Sequence, residues 1–209
     1  MVHRSPYYLA LGLMILSLVL CGVAYGTGHW YIGGGHDNKF ERLGLWEACF
    51  NGYEHTSDYI GKAYYGCWWM FHKEYSYVRG WMMPSWFISV QSLMSFAVVF
   101  EILSVVVLIK VGKSTGHDKA PLIACGLTII NTFCIAVSVI VFGVMIGEDR
   151  TWMPRFDLDY LGWSFGLAVL SGFFSAFAAI SICTYTLMLK YEALPKYDES
   201  TASLKGYPA

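Results

Sequence analysis

The chain has 209 residues, of which 56% are hydrophobic and 14% charged, and its formal net charge is −1. Soluble domains carry about 25% charged residues, so this composition argues against a soluble globular protein. The nearly balanced charge likewise argues against nucleic acid as a partner.

Four stretches of the chain are long and apolar enough to span a membrane, which takes about 20 residues in a helix. We predict helices over about 7–27, 86–110, 120–146 and 161–189. A single charge, Glu101, interrupts the second stretch, whose 24 residues from Trp86 to Ile109 would extend about 36 Å. The first stretch also has the basic start and apolar core of a signal peptide, but its apolar length favours a retained helix.

The segments that connect these helices differ in character. The first loop, residues 28–85, contains aromatic runs separated by turn residues, which is typical of short antiparallel strands. The loop of residues 147–160 is long enough to add one edge strand. The tail, residues 190–209, is polar and contains proline, and we predict that it is disordered. The sequence therefore predicts a single four-span domain over residues 1–189.

The distribution of basic residues predicts the orientation in the membrane. Lysines are concentrated at the short loop of residues 111–119 and in the tail, whereas ten acids dilute the basic residues of the two longer loops. The positive-inside rule then places both termini in the cytoplasm. An oxidising exterior also suits Cys49 and Cys67, the two cysteines of the first loop.

Cys49 and Cys67 have three interpretations: metal ligands, free thiols or a disulfide. The first loop also contains four histidines, but no close Cys-x-x-Cys or His-x-x-x-His spacing, which argues against a metal. Free reactive thiols are disfavoured outside the cell. A disulfide is favoured because it would stabilise, by about 3 kcal/mol, a sheet too small to hold itself with its own core.

The order of residues in the first loop resembles the W–GLW–C–C signature of the claudin superfamily. The residues concerned are Trp30, Gly44, Leu45, Trp46, Cys49 and Cys67. The four-span layout and the short inner loop are similar too. The resemblance implies a membrane all-α, left-handed four-helix bundle with a small extracellular antiparallel β-sheet. It also implies that the tryptophans and the Gly-Leu turn anchor the sheet at the outer membrane surface, and that the disulfide joins neighbouring strands.

The sequence departs from the vertebrate pattern in three places. The two cysteines are further apart than in vertebrate claudins, with residues 51–63 filling the extra space. Gln91 and Ser92 lie near the start of the second span, where vertebrate members often have an arginine. The chain ends in Gly-Tyr-Pro-Ala rather than in Tyr-Val. These departures are typical of an invertebrate claudin-like protein of the septate-junction type.

Glu101 is the one formal charge deep within a predicted span. A carboxylate inside a membrane is costly and marks a functional hypothesis. Counted along the helices from the inner membrane surface, Glu101 lies about 13 Å deep and Asn131, on the neighbouring span, about 16 Å deep. We predict an intramembrane polar pair of Glu101 and Asn131 that locks the bundle, with an ion or proton pathway as the alternative.

Two pairs of glycines have the spacing of small residues that permits close helix contact. They are Gly22 with Gly26, and Gly162 with Gly166. We predict that these glycines pack within the monomer rather than between copies.

These features predict a structural cell–cell junction protein, located in the lateral plasma membrane, whose extracellular loops contribute to a paracellular barrier by lateral and trans contacts. The alternative is an auxiliary or regulatory subunit of another membrane protein, such as an ion channel or receptor. Expected partners are membrane lipid, like or related claudin-like proteins, and a cytoplasmic PDZ scaffold that binds the carboxyl end, Tyr207, Pro208 and Ala209. The sequence carries no catalytic, zinc or phosphate-binding motif, so we expect neither enzyme activity nor a cofactor nor a metal.

Overall fold

The computed structural model describes residues 4–34, 39–55, 61–113, 119–149, 152–153 and 159–192. The helices are α1 (Ser5–Gly26), α2 (Arg79–Met82), α3 (Ser85–Lys113), α4 (Ala120–Glu148) and α5 (Trp163–Glu192). The strands are β1 (Tyr31–Ile32), β2 (Phe40–Leu43), β3 (Glu47–Glu54), β4 (Ala63–Trp69) and β5 (Tyr160–Leu161). A 3₁₀ turn, Lys73–Tyr75, and the single-turn α2 connect β4 to α3.

The four long helices, α1, α3, α4 and α5, are each long and apolar enough to cross a membrane. Prolines occupy the first turn of α1 and of α4, where the missing N–H has no helical partner to lose. Pro84 separates α2 from α3 because its ring disfavours helical backbone in the residue before it, and Met83 is indeed not helical. The predicted spans are thus present as helices, and α3, α4 and α5 continue two or three residues beyond their predicted ends.

The bundle is closed. Helix α1 packs against α5 and α3, and α4 packs against α3 and α5. Small side chains dominate the buried positions that face the bundle axis, including Ala10, Ala24, Ala97, Ala168 and Ala178. Such residues let helix backbones approach closely, which matters in lipid because no hydrophobic effect drives helices together there.

The glycine prediction is wrong for three of its four residues. A Cβ added at Gly22, Gly26 or Gly166 would meet no atom within 4 Å, so these glycines face away from the neighbouring helices. At Gly162 an added Cβ would overlap the carbonyl oxygen of His29, which lies in the loop after α1. That close approach joins a loop to the start of α5 rather than one helix to another.

The sheet is antiparallel and has the strand order β4-β3-β2-β1-β5. Four strands come from the first loop, and β5 pairs with β1 as an edge strand from the loop before α5. One apolar cluster joins the inner face of the sheet to the bundle, with Tyr31, Leu43, Phe87 and Phe142 among its fully buried members. The sheet therefore sits directly on one end of the bundle, called the sheet end below.

Several predicted features lie outside the described residues. They include the tail beyond residue 192 with Tyr207, Pro208 and Ala209, residues 56–60 of the insertion between the cysteines, and most of the loop before β5.

Candidate functional site

Trp30 anchors the start of the sheet in the bundle. Its side chain is fully buried. The indole Nε1 donates to the carbonyl of Ala24 at 2.7 Å, one of the last carbonyls of α1, which have no partner within the helix. The ring meets Phe142 of α4 and Phe165 of α5 edge-on, with centroids 5.0 Å and 5.8 Å away. Trp30 therefore ties the chain before β1 to three of the long helices.

Gly44 and Leu45 form the turn between β2 and β3. A Cβ at Gly44 would lie 2.5 Å from the Cα of Gly28 and 2.7 Å from the carbonyl oxygen of Thr27, so only glycine fits this crossing. Leu45 is fully buried, and its carbonyl accepts a hydrogen bond from Gln91 Nε2 at 2.5 Å. Gln91 therefore connects the turn to α3 by a hydrogen bond. It lies near the position where vertebrate claudins often have an arginine.

Trp46 follows in the same turn and lies between α1 and the segment after β4. Its ring is 5.4 Å from that of Tyr25 and 6.4 Å from that of Phe71. The indole Nε1 is buried and has no hydrogen-bond partner in the described part of the chain.

Cys49 and Cys67 form a disulfide between directly opposed residues of β3 and β4. Their sulfur atoms are bonded to each other and are not thiolates, the form in which cysteine binds metal. Arg42 on β2 covers the bridge, with its Nε 3.1 Å from the Cys49 sulfur, and pairs with Glu47 at 3.0 Å. Of the three interpretations open from the sequence, the structure shows the disulfide.

His29 lies beside this bridge. Arg42 Nη1 donates to His29 Nε2 at 2.9 Å, and the imidazole packs on the ring of Trp163. Burial and the nearby Arg42 charge lower the pKa of His29 below its usual value. The imidazole is therefore neutral at physiological pH, which is the state that accepts the Arg42 hydrogen bond.

The polar centre of the bundle forms around Glu101, which is fully buried on α3. Its Oε1 lies 2.5 Å from Ser17 Oγ on α1 and 3.4 Å from Asn131 Nδ2 on α4. Asn131 Nδ2 also donates to Ser175 Oγ on α5 at 2.9 Å. The two residues paired from the sequence are thus adjacent. The sequence does not single out the serines that complete the centre, because serine is common in membrane helices.

Ser17 links Glu101 to the backbone of α5. Ser17 Oγ is 2.9 Å from the backbone carbonyl oxygen of Ser171, which can only accept a hydrogen bond. The single hydroxyl hydrogen of Ser17 therefore faces two acceptors, because Glu101 Oε1 is the other. We predict that Glu101 is a neutral carboxylic acid, which could supply the second hydrogen itself and avoids the cost of burying an isolated charge.

We expect Glu101→Gln to keep the stability of the wild-type protein, because a neutral amide can donate to Ser17 as the acid does. Glu101→Leu, its control, should lower the free energy of unfolding by about 1–2 kcal/mol through the lost interhelical bonds. Unfolding of purified protein in detergent measures both. A Gln variant as unstable as the Leu variant would show that Glu101 is ionised. Folding and ion permeability both unchanged in Glu101→Gln would rule out the pathway alternative.

A second disulfide joins Cys125 of α4 to Cys183 of α5, away from the sheet end. The sequence indicates that both cysteines lie in spans but does not pair them. Nothing in their spacing indicates that these two helix turns face each other.

The family model of PMP-22/EMP/MP20/Claudin tight junction proteins matches residues 15–182, from the middle of α1 to the later turns of α5. No curated protein sequence matches significantly. The matched region contains all five strands, most of the four long helices and the complete anchor of Trp30, Gly44, Leu45 and Trp46. The chain therefore belongs to the PMP-22/EMP/MP20/claudin family of membrane proteins.

Proposed function

We propose that this protein is a structural component of cell–cell junctions, of the septate-junction type, and contributes to the paracellular barrier. Membership of a family of junction-type, multi-pass membrane proteins supports the general assignment. The specific role rests on contacts that the sheet makes with like or related proteins in the same membrane and in the opposing one.

The proposed orientation has both termini in the cytoplasm and the sheet outside. The lysines near the other end of the bundle support it through the positive-inside rule. The Cys49–Cys67 disulfide on the sheet lies outside the spans, where an oxidising compartment would preserve it, whereas the Cys125–Cys183 bridge lies within the spanning helices and does not bear on the orientation. The sheet then faces the space between cells, and the tail with Tyr207, Pro208 and Ala209 is available to a cytoplasmic PDZ scaffold.

The observation that carries the proposal is a row of exposed aromatic side chains on β4. Tyr65 and Trp69 are 62% and 59% exposed, and Trp68 is also exposed. Within the described sheet, β4 is an edge strand that pairs only with β3. Exposed aromatic residues on an unpaired edge are typical of surfaces that bind another protein.

The test is tagged protein in an epithelium, combined with tracer leakage after depletion. Depletion should increase leakage, and the wild-type chain should restore the barrier and concentrate at lateral contacts. Tyr65→Ser should reach the surface but restore less barrier. Tyr8→Ser is the matched control, because Tyr8 is 60% exposed but lies in the first turn of α1, far from the sheet.

Diffuse surface staining with an intact barrier after depletion would contradict the junction role. If depletion instead changed the current or surface amount of another membrane protein, the result would favour the alternative, an auxiliary or regulatory subunit.

A further inference from the structure

An open groove of about 450 Å³ runs along α3 below the sheet. Trp46 and Phe71 form its upper wall. Its lower wall comes from α3, where Ile88, Ser92, Ser95 and Phe96 line it. The volume lies within the range of small-molecule sites, about 300–1,000 Å³.

The position of the groove decides what can reach it. Helix α3 begins at Ser85 beside the sheet, and the nine residues from Ile88 to Phe96 cover about 12 Å of its axis. Ile88 and Phe96 are 45% and 58% exposed, so the groove opens away from the bundle. In a spanning helix this open side faces the hydrocarbon of the leaflet on the sheet side, and the groove is continuous with the lipid-facing surface.

A positive charge without a described counter-ion lies next to Phe71, at the upper end of the groove. The guanidinium of Arg79 lies over the Phe71 ring, 5.9 Å from its centroid. Backbone carbonyls of Met70 and His72 hold it in place. No described carboxylate forms a salt bridge with Arg79, so its charge is available to an anion.

We propose that the groove binds one phospholipid of the sheet-side leaflet. An acyl chain lies along α3 between Ile88 and Phe96, and the phosphate pairs with Arg79. A guanidinium recognises phosphate strongly, whereas a sterol presents a single hydroxyl group. The proposal is independent of the junction role, since it concerns only the membrane side of the sheet.

The test measures lipid retention. Full-length protein is reconstituted in nanodiscs of phosphatidylcholine and cholesterol and then transferred to a mild detergent. Native mass spectrometry then measures the mass of the protein with any lipid that stays bound. The wild type should keep one phosphatidylcholine. Ser92→Trp fills the groove and should reduce retention about tenfold or more. Ser181→Trp on α5 is the matched control and should retain the lipid. In both serines the hydroxyl donates to a backbone carbonyl one turn earlier in the same helix, at 2.8 Å.

Arg79 provides the test of the headgroup. Arg79→Gln should weaken retention, and Arg79→Lys, which keeps the charge, should preserve more of it. If Ser92→Trp does not fold, the wild type is labelled with a phosphatidylcholine that carries a photoreactive tail. We expect more adducts on residues 88–96 than on the exposed face of α5. Equal retention in both tryptophan variants, equal labelling of the two faces, or cholesterol retained in place of phosphatidylcholine would overturn the proposal. Crosslinking of the protein in nanodiscs tests for dimers through the same groove. If Ser92→Trp lost crosslinked dimers but kept its lipid, the groove would instead bind a second copy of the chain, and the proposal would be overturned.

Discussion

Replacement of Trp30 by alanine is expected to lower the free energy of unfolding by about 3–5 kcal/mol, the range for removal of a fully buried tryptophan or phenylalanine. The indole fills the space between Phe142 and Phe165, and bilayer lipid cannot refill it because the residue is fully enclosed. The carbonyl of Ala24 would also lose its side-chain donor. Unfolding of the purified protein in detergent measures the loss.

Two further variants separate the causes. Trp30→Phe keeps most of the ring but not the hydrogen bond to Ala24, so it should cost only part of the alanine effect, with about 1 kcal/mol from the lost bond. Trp69→Ala is the control at an exposed tryptophan and should change stability by about 0.5 kcal/mol or less. Equal losses in Trp30→Ala and Trp69→Ala would contradict the anchoring role.

Removal of the Cys49–Cys67 bridge by a double serine substitution should lower the free energy of unfolding by about 3 kcal/mol, according to the chain-entropy model for a loop of this length. The two cysteines are 18 positions apart and lie on opposed strands, so the bridge restricts the unfolded loop while the folded sheet needs no rearrangement. Unfolding in detergent and mass mapping of the bridge test this expectation.

Cys134→Ala serves as the control, because Cys134 is a free thiol on α4. It removes a sulfur without removing a bridge and should leave the sheet unaffected. A double serine variant as stable as Cys134→Ala would show that the apolar cluster beneath the sheet holds the strands without the bridge.

The four spans, the strand-rich first loop and the family signature could all be predicted from the sequence. Spanning helices depend on local properties, namely apolar length and the absence of charge, because in lipid every backbone group must be satisfied within its own segment. The edge strand β5 was also predictable, since its loop had room for one strand and little else. Glu101 and Asn131 stood out as strongly polar residues at similar depth in neighbouring spans.

The faces on which those helices meet became known only from the three-dimensional structure. An apolar helix carries almost no pattern that tells its lipid face from its bundle face, so the glycines of α1 were assigned to the wrong side. For the same reason, the contact between Ser17 and Glu101 and the disulfide between Cys125 and Cys183 could not be predicted from the sequence. The bond from Gln91 to Leu45 joins residues 46 positions apart, and it exists because the turn before β3 comes down onto α3. Rotation of each helix and the seating of the sheet are set by packing between distant segments, which local composition does not record.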